Sequence, residues 1–117
     1  MSIRKKGVIM ENTLKKLERN GISIKYEDIV RLCEKYHISE LSVFGSAIRD
    51  DFRDESDIDI LVTFENLFDI SIFDLIDIES EFAKIVNRKA QVVIKESLKN
   101  PIRKKRILST REVVYVA

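Results

Sequence analysis

The chain has 117 residues and a net charge of +1, with 44% of residues hydrophobic and 35% charged. That length makes one domain with a single core, and that balance excludes a disordered chain. The longest apolar runs are far too short to cross a bilayer, and no apolar stretch follows Arg4, Lys5 and Lys6 as a signal peptide would require.

In chain order, Met1 to Gly7 reads as a frayed basic arm. Glu11 to Asn20 reads as a short helix closed by Asn20-Gly21 in the manner of a C-cap. Residues 1–20 are thus expected to form an arm and short helix, and residues 21–117 the domain proper. Ser23 is placed to cap a second helix with Ile29, Val30, Leu32, Cys33 and Tyr36 on its buried side. Cys33 is the only cysteine. It excludes an internal disulfide, fits the reducing cytoplasm, and at that spacing reads as a structural thiol. Strands are expected at Leu41 to Phe44 and Asp57 to Phe64, with a short helix from Ser46 between them. A long amphipathic helix should span Ile70 to Val86, and a third strand Ala90 to Ile94. Leu98 to Leu108 reads as a basic helix or turn interrupted early by Pro101, and Glu112 to Ala117 as a fourth strand. The sum is an α/β (α+β) fold, a small mixed sheet flanked by helices, without repeats or a linker to a second domain. His37, the only histidine, lacks the companions of a zinc site or a triad and reads as a helix-end or surface residue. Tyr26, Tyr36 and Tyr115 read as packing residues.

The chemistry concentrates between Leu41 and Phe64, LSVFGSAIRDDFRDESDIDILVTF. An apolar run stops at Gly45-Ser46, and eleven residues after Ser46 comes Asp57-Ile58-Asp59. Residues two apart on a strand share a face, so Asp57 and Asp59 point together while Ile58 and Ile60 pack behind. Two such carboxylates repel unless a cation lies between them, and Mg²⁺ takes ligands of this kind together with substrate phosphates. Gly45 permits close backbone approach, and Ser46 offers an N–H and a hydroxyl to a phosphate oxygen. Arg49, three residues after Ser46, would contact a phosphate; without nucleotide its expected partner is Asp57 or Asp59.

Gly45-Ser46, ten intervening residues and Asp57-x-Asp59 resemble the motif of the nucleotidyltransferase superfamily that includes DNA polymerase beta and kanamycin nucleotidyltransferase. Phe44-Gly45-Ser46 with Arg49, Ser56-Asp57, a basic Ile102-Arg103 segment and the terminal Val113-Val114-Tyr115-Val116 are similar to the minimal nucleotidyltransferases, the MntA-type antitoxins encoded beside a HEPN-domain toxin. The resemblance covers roughly Ile38 to Val116. It implies a polymerase beta palm-like fold and nucleotidyl transfer. ATP would rest its phosphates on Gly45, Ser46, Arg49 and Arg103, with Mg²⁺ on Asp57 and Asp59 and a second ion about 4 Å away. It also implies an acceptor, a tyrosine of the cognate HEPN toxin, silenced by receiving AMP. Members of the family ordinarily add a third carboxylate on the next strand. Here that run is Arg88-Lys89-Ala90-Gln91-Val92-Val93, and Gln91 stands where the acid is expected. A glutamine can offer an amide oxygen to a metal but cannot take a proton at neutral pH, so transfer is expected to be slow while nucleotide binding survives. A carboxylate from elsewhere, with Glu96 the nearest in sequence, is one alternative.

The other class of function is a binding module that neutralises the toxin by covering it. Direct nucleic-acid binding is a third, weaker reading. It rests on the charge distribution: twelve acids against Arg53 alone from Asp50 to Glu81, then ten bases against Glu96 alone from Lys84 to Arg111. Such polarity sets up opposed local fields whatever the total charge.

Overall fold

The structure is a computed structural model that describes residues 7–53 and 56–117, so all but Gly7 of the expected basic arm lies outside the described residues. The elements are β1 (Val8–Ile9), α1 (Glu11–Arg19), α2 (Tyr26–Lys35), β2 (Ile38–Phe44), β3 (Ile58–Phe64), α3 (Ile72–Val86), β4 (Ala90–Ile94), α4 (Pro101–Thr110) and β5 (Glu112–Val116). Short 3₁₀ turns occupy Gly45–Ile48, Leu67–Asp69 and Lys95–Ser97.

The strands form one mixed sheet in the order β1-β5-β2-β3-β4. β2 is antiparallel to both its neighbours, whereas β3 and β4 are parallel and joined across α3. Parallel pairing requires such a crossover, and here it sets the start of β4 beside the start of β3. β2 begins at Ile38, three residues before the apolar run, and its pairing with β3 shifts register between Ile38 and Glu40, a bulge at Ser39 that local periodicity does not announce. β1 was not legible: its two residues have no periodicity of their own and exist by pairing Val8 with Val116 and Ile9 with Tyr115.

Local chemistry explains most helix ends. Gly21 takes φ 77° behind the Asn20 cap, a conformation that favours glycine. The N-cap of α2 is Lys25, with no side-chain cap bond, rather than Ser23. Glu27 and Asp28 in its first turn supply the favourable charge instead. α3 starts two residues later than expected because Ser71 and Asp74 form a reciprocal capping box. Pro101 opens α4 rather than interrupting it. Asn100 Oδ1 accepts from the Ile102 and Arg103 backbone N–H groups at 3.0 and 3.1 Å, a cap contributing about 1 kcal/mol.

The sheet buries both faces. Ile58, Ile60 and Val62 join Leu41, Val43, Ile29, Leu32, Ile78 and Phe82 in the larger core beneath α1, α2 and α3. Leu61 turns the other way, into a smaller cluster with Phe44, Leu98 and Ile107 beneath α4. Asp59 alternates with Ile58 and Ile60, so it shares the α4 face with Leu61. Cys33 is buried as expected, and burial pushes its thiol far above the ordinary range. Tyr36 and Tyr115 pack in the core, but Tyr26 is exposed. His37 takes φ 53° at the end of α2, largely exposed, with Nδ1 3.6 Å from Glu65. Among the described residues no helix is long and apolar enough to cross a membrane.

Candidate active site

The antiparallel register sets Phe44, the last residue of β2, opposite Asp59. Gly45 follows directly, at φ 73°. A Cβ built there would stand 2.9 Å from Asp59 Oδ2. The glycine therefore serves two needs at once: a left-handed backbone, and open space beside a carboxylate oxygen. The structure brings Gly45 and Asp59 together at the end of the sheet. Gly45→Ala should cost about 1–2 kcal/mol through the backbone alone and displace the Asp59 carboxylate. Thermal melting and nucleotide titration together check this; unchanged melting with unchanged binding would contradict it.

Asp57 lies just ahead of β3, exposed, whereas Asp59 is half-buried within it. Burial pushes the Asp59 carboxyl above its ordinary value, the charge of Asp57 pushes it further, and Arg103 pulls it back. Two acids from the start of β3 and a base from α4 thus act on one another at one place. Sequence spacing accounts for the acids; only the fold brings α4, and with it Arg103, over them.

Asp59 is directly paired with Gln91 in the parallel ladder, so the two side chains emerge from neighbouring strands on the same face. Gln91 is exposed there. Glu96 does not substitute. Ile94 is level with Val62, which already puts it about 10 Å along the strand from Gln91, and Glu96 lies beyond. Glu79 comes nearer, but its Oε2 accepts the Val92 backbone N–H at 3.0 Å on the outer edge of β4. Among the described residues, no group of three or more His, Cys, Asp or Glu side chains is placed to hold a metal ion.

On the β2 side of Asp59 lies a cleft of about 750 Å³, lined in part by Gly45, Arg49, Arg103 and Arg106. Its one acid, Glu112, is paired with Lys16, which leaves the arginines to set the sign of the field. Arg49 does not pair with Asp57 or Asp59 as expected. Its Nε lies 3.1 Å from Asp51, on an exposed turn whose backbone has become extended by residue 49. Asn20, read from sequence only as a helix end, also donates through Nδ2 to the carbonyls of Ala47 and Arg49 at 2.8 and 3.1 Å. It pins the turn that carries Gly45 and Ser46, and no local signal could have announced a contact so distant in the chain. Arg88 stacks over Phe52 at 4.8 Å and anchors the connection from the other end.

Asp57 and Asp59 offer hard carboxylate oxygens, Gln91 an amide oxygen, and Gly45 the clearance beside them. That donor set suits a hard divalent cation that shares its shell with phosphate. A glycine-serine turn seated against a strand-borne carboxylate on a mixed sheet is the framework of a nucleotidyltransferase. The family model "Polymerase beta, Nucleotidyltransferase" matches residues 27–117. Protein adenylyltransferase MntA of Thermococcus cleftensis is 38% identical over 85 residues, 73% of this chain and 81% of that protein. A crystal structure of a toxin-antitoxin with AMP-PNP shares the fold at a TM-score of 0.64 and 15% identity, covering 78% of this chain and 73% of that one. So does the tri-AMPylated Shewanella oneidensis HEPN toxin in complex with MNT antitoxin, at 0.57 and 14% identity, covering 86% and 73%. The chain belongs to the polymerase beta nucleotidyltransferase family, among its minimal, MntA-type protein adenylyltransferases.

Proposed function

We propose that the chain is the antitoxin of a toxin–antitoxin pair and transfers AMP from ATP to a tyrosine of a cognate HEPN toxin. One observation carries the reading: the Gly45 backbone and the Asp59 carboxylate share a space that any larger residue would fill. Asp57 and Asp59 would hold Mg²⁺, which when bound neutralises phosphate charge and makes an acceptor hydroxyl easier to ionise. Gly45 and Ser46 seat the β and γ phosphates, and Arg49, Arg103 and Arg106 supply positive charge along the same cleft. The tyrosine oxygen forms a bond to the α-phosphorus as the bond from that phosphorus to the bridging oxygen breaks. The electron pair leaves with pyrophosphate, and the phenolic proton goes to solvent because Gln91 cannot accept it. The tyrosine is silenced as an AMP ester.

A second reading is favoured by Gln91 itself. With an amide in register beside Asp59, the chain would neutralise the toxin by complex formation and keep the nucleotide site for regulation. Incubating chain, toxin, ATP and Mg²⁺ and weighing the toxin by mass spectrometry separates the two. A gain of one or more AMP units means transfer; a tight complex at unchanged mass means a binder.

A further inference from the structure

Two hollows flank the strand that carries Asp59. The first is the arginine-lined cleft on the Gly45 side. The second, about 390 Å³, lies on the β4 side and is lined in part by Ile72, Leu75, Ile76, Gln91, Val93 and Arg103. Arg103, whose charge acts on Asp59, borders both. An in-line displacement needs its attacking oxygen opposite the leaving group. With phosphates on the Gly45 side, the acceptor must arrive from the Gln91 side.

Two residues of that hollow's wall, Ile72 and Ile76, belong with the neighbouring Phe73 to an exposed apolar patch. Ile72, Phe73 and Ile76 are 67%, 72% and 60% exposed, on the first turns of a helix whose Ile78, Phe82 and Val86 are buried. Three large apolar side chains within five residues of one helix are a patch that calls for a partner. Along this stretch of chain the charge has one sign: from Glu65 to Glu81 there are six acids and no base, and Asp77, one turn after Phe73, is exposed; the base that lines the hollow, Arg103, comes from α4. The partner cannot simply add a strand to β4, because Glu79 already takes the Val92 N–H on that edge. Docking must go through side chains.

We infer that the acceptor protein docks on Ile72, Phe73 and Ile76 of α3 through an apolar surface ringed by lysine or arginine. From there it delivers its hydroxyl along the Gln91 hollow. The inference rests on the AMP-transfer reading for the identity of the occupant, but its test does not depend on catalysis. The variant Phe73→Ser with Ile76→Ser changes exposed positions only, and Val8→Ser, also exposed but at the opposite end of the sheet, serves as control. Titrated against the cognate HEPN toxin, the double variant should lose about tenfold or more in affinity. Any AMP transfer should fall in proportion, while Mg·AMP-PNP binding and melting temperature stay at the wild-type and Val8→Ser values. Affinity within about twofold of wild type overturns the inference, as does a wild-type chain that forms no complex at all. A wild-type complex without transfer counts against the enzymatic reading alone, and the affinity comparison then still decides the docking face.

Discussion

Replacing Gln91 with Asp should raise AMP transfer by about 10²–10⁴-fold, the usual contribution of a positioned proton acceptor. Position 91 is next to Asp59 in the ladder, so a carboxylate there joins Asp57 and Asp59 on one face without rearrangement of the backbone. The same charge has a cost in the absence of metal. A third anion raises the free energy of the ionised cluster, so the variant should melt below wild type in chelator and gain more from added Mg²⁺. Single-turnover transfer to the toxin, with melting curves at several Mg²⁺ concentrations, checks both halves. A transfer rate that does not change would show that some feature other than the glutamine limits the reaction.

Asp59→Asn should lower transfer by several kcal/mol of transition-state stabilisation, about 10²–10⁴-fold, and weaken Mg-dependent nucleotide binding. The fold itself should not suffer. Burial and the charge of Asp57 disfavour ionised Asp59, so its folded pKa lies above its unfolded one. Ionised Asp59 therefore subtracts from stability at neutral pH, and this penalty vanishes as pH falls below the unfolded value. The asparagine variant should accordingly melt at or above wild type near neutrality, with the difference closing in acid. Nucleotide binding by the wild type should weaken on acidification sooner than an ordinary carboxylate would dictate. A variant that melts well below wild type at neutral pH would mean that Asp59 is structural rather than a strained site residue.

The sequence by itself determined the class of protein and singled out the candidate residues of its site. A strand ended by Gly45-Ser46 and two acids at a spacing of two can be read locally, because strand periodicity decides which side chains share a face. The same periodicity located α3, β3 and β4 to within two residues, and the glutamine at position 91 was visible as a departure from the family pattern. What depends on contacts between distant segments was not legible. β1 exists only by pairing with β5, Arg49 found Asp51 instead of the site acids, and Asn20 proved to hold the Gly45–Ile48 turn. Only the tertiary structure seated Gly45 against Asp59, placed Gln91 beside it, and left Ile72, Phe73 and Ile76 exposed. Amphipathic spacing says that a helix has an apolar face, but not whether part of that face outruns the core. That outcome depends on where the sheet ends, and the sheet is closed by pairings between residues far apart in the chain.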